Sequence, residues 1–135
     1  IVMAVTILSA SSVFAFENVT GVFYFTANGQ KVTTSSAGLK ANDGDNNAYI
    51  TTLASSNGTV SNVFTRGGTF YARTRLAADL NGVYSPLFTF TSNQKQVRAY
   101  ESGMARFGQY YKVRAEIENA SIGALRVKQC VRWCP

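Results

Sequence analysis

The most regular alternation of hydrophobic and polar residues lies near the C-terminal end of the chain. Between residues 111 and 118 every second residue is apolar and the others are charged, the two sets being Tyr111, Val113, Ala115 and Ile117, and Lys112, Arg114, Glu116 and Glu118. A period of two is typical of a strand that buries one face. The pattern therefore predicts a β-strand with an apolar inner face and a charged outer face.

A second run, at residues 125–133, alternates in the same way. Its apolar positions are Leu125, Val127, Val131 and Trp133, and its basic positions are Arg126, Lys128 and Arg132. The turn-forming residues 119–121 separate the two runs, which predicts that they pair as an antiparallel hairpin. Gln129 interrupts the apolar row, so we expect the second strand to end or bulge there.

The rest of the chain divides into short strands and turns. Asn28-Gly29 predicts a hairpin between residues 22–27 and 31–35, and Asn57-Gly58 predicts another between residues 48–55 and 59–65. Residues 69–76 form a strand with a basic outer face, and a turn follows at 79–82. Beyond this turn, the aromatic residues Tyr84, Phe88 and Phe90 are expected to share one side of a strand that Pro86 confines to a sheet edge.

Seven to nine short strands, with a turn about every ten residues, predict an all-β fold. The arrangement is that of a single antiparallel β-sandwich, with a β-barrel as the alternative. A chain of 135 residues with 46% apolar residues is long enough for one core and too short for two. We therefore expect one domain.

Residues 1–15 have a different character. The sequence IVMAVTILSASSVFA is an apolar run followed by small residues, and it ends in Val13-Phe14-Ala15. This is typical of a secretory signal peptide with its cleavage site, and it is too short to span a bilayer permanently. Because the cationic start and the initiator Met are missing, we expect a truncated signal peptide at 1–15 and an exported domain at 16–135; the alternative is a buried core segment. No later segment is long and apolar enough to be a transmembrane anchor.

The positive charge is concentrated in the second part of the chain. The net charge is +6, and eleven of the 13 basic residues and four of the seven acids lie after residue 60, which gives that part a charge of +7. Such asymmetry favours a basic face for an anionic partner, although solubility alone would also explain it.

Seven basic residues are predicted to point outward from the strands. The candidate residues for binding an anionic ligand are Arg73, Arg75, Lys112, Arg114, Arg126, Lys128 and Arg132. If their strands are neighbours, they form a ladder of donors suited to phosphate or carboxylate, and Tyr71 and Tyr110 could add stacking or sugar contacts. The alternative is that Glu116 and Glu118 pair with these cations across the sheet.

Cys130 and Cys134 are the only two cysteines. In an exported protein two cysteines usually pair, but four residues along a strand span about 13 Å, whereas a disulfide needs Cα atoms about 4.4–6.8 Å apart. An intrachain disulfide therefore requires the strand to end at Gln129 and the following residues to coil. Thiols that form no bond and a link between two chains are the alternatives.

The sequence contains little that indicates catalysis or metal binding. There is no His, which excludes His-based triads and most catalytic zinc sites, and no nucleotide-binding or nucleophile-elbow motif is present. The acid-amide loop at 43–47 resembles a calcium loop only loosely, because the closing bidentate Glu is absent, and it is read as a solvated turn. We therefore expect a protein that is not an enzyme and has no cofactor or metal.

Several short motifs resemble small exported proteins of Gram-positive bacteria, which are mostly of unknown function. The motifs are LKAND at 39–43, AYIT at 48–51, YESG at 100–103, GQYYKVRA at 108–115 and RWCP at 132–135. The closing motif is similar to Gly-x-Trp-x-Pro, except that Cys stands where small polar residues are common. The resemblance implies a compact β-sandwich after a signal peptide and brings no catalytic residues with it.

These observations predict a non-catalytic binding domain that is secreted or attached to the cell surface. Its basic face would recognise an anionic envelope or matrix component, such as an envelope polymer or lipid headgroups, while export argues against nucleic acid as the partner. The alternative function is a small antibacterial or signalling effector, because some bacteriocins of lactococcin type share this size and β character.

Overall fold

The computed structural model describes residues 19–54, 62–124 and 126–135. The predicted signal peptide, the turn at Asn57-Gly58 and Leu125 lie outside these ranges. The described chain forms ten strands and one 3₁₀ turn at Phe64–Arg66: β1 Val19–Phe25, β2 Val32–Thr33, β3 Gly38–Leu39, β4 Asn47–Leu53, β5 Thr69–Leu76, β6 Asp79–Tyr84, β7 Phe88–Phe90, β8 Lys95–Ala99, β9 Tyr110–Glu118 and β10 Val127–Cys134. Within the described ranges, no helix has the length and apolar character needed to cross a membrane.

The strands form two antiparallel sheets. Sheet I has the order β1-β10-β4-β8, and sheet II has the order β2-β9-β5-β6, with β3 also paired to β9 and β7 also paired to β5. The prediction of an all-β protein is confirmed. Neither sheet closes into a barrel over the described residues, so the barrel alternative is wrong.

Aromatic rings from both sheets meet in one core. The ring of Phe70 in β5 lies 5.6 Å from that of Phe23 and 6.3 Å from that of Phe25, both in β1, measured between centroids. All three side chains are fully buried. The inner faces of the two sheets therefore share a hydrophobic interior, as the alternating pattern requires.

The predicted alternation is confirmed in β5 and β9. In each strand every second residue is buried, and the residues between them are partly or fully exposed. The two strands pair with each other along their whole length, from Thr69 opposite Glu118 to Leu76 opposite Tyr111. Their outer faces consequently form one continuous surface at the centre of sheet II.

The predicted hairpin between β9 and β10 is wrong, because the two strands belong to different sheets. The segment between them does not fold as a tight turn but bonds to other loops. The Asn28 side chain exchanges two hydrogen bonds with the backbone of Ala120, at 2.9 and 3.0 Å, and the N–H of Ser121 donates to the carbonyl of Arg66. These contacts carry the chain from sheet II to sheet I.

The predicted pairing around Asn28-Gly29 is wrong for the same reason. A turn is present, with Gly29 in the left-handed region at φ 78°, where a glycine is favoured. However, β1 pairs with β10 in sheet I, whereas β2 pairs with β9 in sheet II. This turn also connects the two sheets.

β10 neither ends nor bulges at Gln129, so that prediction is wrong as well. The strand continues to Cys134, and the Gln129 side chain is completely buried on its inner face. Its amide N–H groups donate to the carbonyl oxygens of Cys130 and Leu53, at 2.9 and 3.3 Å. These hydrogen bonds offset part of the cost of burying a polar group in the core.

Candidate anion-binding site

The seven predicted cations lie on two separate sheets. Arg73 and Arg75 of β5 and Lys112 and Arg114 of β9 are in sheet II, whereas Lys128 and Arg132 of β10, and Arg126 just before it, are in sheet I. The single ladder that the sequence suggested is therefore not formed. The structure brings together four cations on one sheet and three on the other.

On sheet II, like charges lie directly opposite each other. Arg73 is paired with Arg114, and Arg75 is paired with Lys112. Such cross-strand neighbours repel. No ion pair with an acid is found for these four residues in the described parts of the chain.

The alternative role of the two glutamates is not observed. Glu116 lies opposite Tyr71, and Glu118 lies opposite Thr69. Neither forms an ion pair with the basic residues within the described ranges. The positive charge of this surface is consequently not neutralised by ion pairs on the outer face of its own strands.

Neutral oxygen atoms hold the three guanidinium groups in place. Arg73 Nη1 donates to the carbonyl of Ser85 at 3.2 Å, and Arg75 Nη1 donates to the carbonyl of Leu80 at 2.7 Å. Arg114 donates to two side chains, Thr33 Oγ1 at 3.3 Å and Asn81 Oδ1 at 3.1 Å. Since a guanidinium has five N–H donors, these bonds use only one donor of Arg73, one of Arg75 and two of Arg114.

The ring of Tyr84 supports two of these guanidinium groups. Its centroid lies 4.9 Å from Arg73 Cζ and 5.2 Å from Arg75 Cζ, which are cation–π distances. Tyr84 points outward because it pairs with Arg75 across the sheet, while Phe88 and Phe90 are buried. The prediction that all three aromatics share one side is therefore wrong, since the break at Pro86 between β6 and β7 shifts the alternation.

The predicted turn at 79–82 is wrong too, because these residues belong to β6. The turn lies immediately before this strand, at Ala77 and Ala78. Asp79 Oδ1 accepts a hydrogen bond from the N–H of Gly82, so the polar residues that suggested a turn bond to each other within the strand. This strand is what brings Leu80, Asn81 and Tyr84 to the arginines.

Arg75 is the most constrained of the three arginines. Its Nε is buried and has no hydrogen-bond partner. Burial, followed by the positive charges of Arg114 and Arg73, lowers the pKa of Arg75, whereas Glu116 opposes this effect more weakly. An anion that reached this guanidinium would relieve both the repulsion and the loss of hydration.

A depression of about 110 Å³ opens over these residues. We call it the basic depression and define it by four cations, Lys31, Arg73, Arg75 and Arg114. Its walls also include Tyr71, Leu87 and Glu116. Fork-shaped guanidinium groups beside a lysine form a donor set that suits phosphate, sulfate or carboxylate oxygens.

Sequence reasoning missed Lys31 and Tyr84 as members of this site. Lys31 immediately precedes β2, which pairs with β9, and Tyr84 lies in β6, which pairs with β5. Only the strand order places them beside the arginines. Of the predicted aromatic residues, Tyr71 lines the depression, while Tyr110 is 58% exposed at the start of β9 and does not line it.

A second residue that the sequence did not single out is Lys40, which is only 2% exposed. Its Nζ donates to the carbonyl of Asn47 at 2.8 Å and lies 5.4 and 5.9 Å from the ring centroids of Tyr100 and Phe107. Burial lowers the pKa of Lys40, and the negative charge of Asp45 opposes that shift. Because this ammonium group is enclosed, we assign it a structural role.

The acid-amide loop at 43–47 uses its oxygens internally. Asp45 Oδ1 accepts from the backbone and side-chain N–H groups of Asn47, and Asp45 Oδ2 accepts from the Tyr49 hydroxyl. The hydrogen bond from Tyr49 is the largest of the effects that lower the pKa of Asp45, against the upward effect of burial. Among the described residues, no group of three or more His, Cys, Asp or Glu side chains could hold a metal ion.

The intrachain disulfide considered for Cys130 and Cys134 is not shown, since no disulfide joins them in the structure. Both lie in the continuous strand β10 and are partly exposed on the outer face of sheet I. Four residues of extended strand separate their Cα atoms by about 13 Å, which is beyond the reach of a disulfide.

Comparisons of the chain with protein-family models, with curated proteins and with solved structures gave no match.

Proposed function

We propose that this protein is a non-catalytic binding domain of a bacterial cell surface or its surroundings, and that the basic depression of sheet II attaches it to an anionic envelope or matrix polymer. The proposal includes export by the segment at 1–15. It also includes a β-sandwich architecture, which the contact of Phe70 with Phe23 and Phe25 supports.

One observation carries the proposal. Arg73, Arg75 and Arg114 are held side by side on neighbouring strands, and no acid among the described residues forms an ion pair with them. Holding like charges together costs stability unless an anion binds between them. Envelope and matrix polymers carry repeated phosphate, sulfate or carboxylate groups, which such a surface recognises through charge-assisted hydrogen bonds.

The test is sedimentation of the protein with bacterial cell-wall material from which the lipids have been extracted, over a salt series. Two triple variants with the same net charge are compared, one with Arg73, Arg75 and Arg114 changed to Gln, and one with Arg126, Lys128 and Arg132 changed to Gln. We expect binding to weaken as salt rises, and the first variant to bind roughly tenfold more weakly than the wild type at low salt. The second variant should remain close to the wild type.

The outcomes separate the site from a simple effect of net charge. Equal loss in both variants would mean that total charge, and not the basic depression, determines attachment. Binding that persists in the first variant would refute the proposed site. Absence of binding by the wild-type protein at low salt would refute the proposed function.

A further inference from the structure

The outer face of sheet I combines exposed apolar side chains with basic ones. Val22 and Tyr24 of β1 and Val97 of β8 are 46%, 41% and 44% exposed. Half-buried Cys130 lies between Val22 and Leu53 in the register of the sheet. Val22, Cys130 and Leu53 therefore form one apolar row across this face, and Val97 lies on the opposite edge strand.

Within the four strands of sheet I, every charged side chain on this face is basic. The outward cations are Lys95, Lys128 and Arg132, together with Arg126 at the start of β10, and none of the four strands contains an Asp or Glu. Of the described acids that flank these strands, Asp45 precedes β4 and is hydrogen-bonded to Tyr49, and Glu101 follows β8. The face is thus apolar and cationic at the same time.

Two aromatic side chains connect the apolar and basic positions. Arg126 Cζ lies 4.7 Å from the ring centroid of Tyr24, and Lys95 Nζ lies 5.3 Å from that of Tyr49. Tyrosine favours the boundary between water and hydrocarbon, and long basic side chains extend from apolar surroundings towards charged groups. These residue types are the ones that meet lipid headgroups in membrane-associated proteins.

We propose that the outer face of sheet I lies on a bilayer that contains anionic lipids. Val22, Tyr24 and Val97 would enter the headgroup region, while Arg126, Lys128 and Arg132 would contact lipid phosphates. The basic depression on sheet II takes no part in this contact. The inference goes beyond the polymer-binding function, because it concerns a different surface and a different partner.

The lack of Asp and Glu in the four described strands of sheet I argues for an anionic lipid surface over a second copy of this chain. An antiparallel contact between two such faces would bring cations against cations, which is unfavourable. An anionic bilayer supplies the opposite charge over the whole area, and each basic residue near it increases affinity about fivefold.

The experiment measures co-sedimentation with vesicles of phosphatidylcholine alone and with vesicles in which phosphatidylglycerol replaces part of it. The wild-type protein should bind only the anionic vesicles. Changing Arg126, Lys128 and Arg132 to Gln should lower the partition coefficient about 100-fold. Changing Val22 and Val97 to Ser leaves the charge unaltered and should lower it about tenfold.

The variant with Arg73, Arg75 and Arg114 changed to Gln is the matched control, and it should bind vesicles like the wild type. Emission from Trp133, buried on the opposite side of β10, verifies that each variant is folded. Equal loss in both triple variants, or no effect of Val22→Ser with Val97→Ser, would overturn the proposal. Concentration-dependent dimers that disappear with Val22→Ser would assign the face to a second copy and overturn it too.

The two proposals fail independently. Loss of vesicle binding alone would leave attachment to envelope polymers through sheet II intact. Loss of polymer binding alone would leave the membrane contact of sheet I intact.

Discussion

Arg73 and Arg114 face each other across the β5–β9 pair, with no acid bonded to either among the described residues. Like charges in this position repel and destabilise a sheet by about 0.2–1 kcal/mol. The arrangement is therefore a source of instability that thermal unfolding can measure.

The first prediction concerns this repulsion. Arg114→Gln should raise the melting temperature at low salt by about 1–5 °C, because it removes the charge opposite Arg73. The gain should shrink as NaCl screens the remaining charges. Thermal unfolding over a salt series provides the measurement.

Arg132→Gln is the control for this measurement, since Arg132 lies between Thr20 and Thr51 instead of opposite another cation. It should give no comparable gain. A melting temperature of Arg114→Gln that equals or falls below that of the wild type at low salt would contradict the prediction.

The second prediction concerns the ring that supports the arginines. Tyr84→Leu removes two cation–π contacts, each of about 0.5–1 kcal/mol, and should therefore lower the melting temperature. Because sulfate suits the donors of the basic depression, sulfate should raise the melting temperature more than chloride does, and Tyr84→Leu should reduce this difference. Thermal unfolding in sulfate and in chloride at equal ionic strength provides the measurement. Tyr84→Phe keeps the ring and should behave like the wild type; if it behaves like Tyr84→Leu, the ring is not what matters.

The third prediction concerns pH and Lys40. Because burial lowers the pKa of Lys40 below its ordinary value of 10.5, the folded protein loses this proton before the unfolded chain does as the pH rises. The unfolded state then binds more protons, so this residue makes the free energy of unfolding increase with pH between the folded pKa and 10.5.

Comparison of the wild type with Lys40→Met isolates this contribution. The raised pKa values of Tyr100 and Tyr111, which burial causes, decrease stability at high pH in both proteins and largely cancel in the difference. Denaturant unfolding from pH 7 to pH 10 should show the wild type gaining relative to the variant. Parallel pH profiles would show that the ammonium group is not destabilised in the fold.

The fourth prediction concerns close packing at Gly68. A Cβ at this position would lie 2.7 Å from Ala120 Cβ and 2.9 Å from Val63 Cγ1. Gly68→Ala should therefore cost about 1–3 kcal/mol in the free energy of unfolding. Gly123→Ala is the control, because no atom lies within 4 Å of its added Cβ, and it should be neutral or slightly stabilising. Equal effects would disprove the packing argument.

The fifth prediction concerns the cysteines. Because β10 is continuous through Cys130 and Cys134, mild oxidation should not link them within one chain. After oxidation, the protein is denatured without reductant and alkylated, and its molecular mass is measured by mass spectrometry. Monomer with two alkyl groups is expected, and a monomer that has lost two hydrogens and accepts no label would contradict the observed strand.

Local patterns predicted the strands but not their partners. The alternation of β9 is a property of neighbouring residues, so its buried face, from Tyr111 to Ile117, was predicted correctly. Whether β10 then pairs with β9 or with β1 and β4 depends on contacts between distant segments, such as Asn28 with Ala120. No short-range pattern contains that information.

The same limit applies to the candidate site. The outward positions of Arg73, Arg75 and Arg114 follow from alternation alone. Lys31 and Tyr84 join them only because β2 and β6 flank the central pair, and Lys40 lies just after a two-residue strand in a polar loop, where no periodicity marks it as buried. Strand order therefore has to be known before the site can be assembled.

The position of β10 between β1 and β4 also constrains how the protein folds. Val19 pairs with Trp133, and β10, which follows all the other described strands in the sequence, lies between β1 and β4 in sheet I. Pairing of such distant segments makes folding slow. Sheet I is therefore complete only once β10 has joined it, whereas the β5–β9 pair of sheet II needs no residue beyond Glu118.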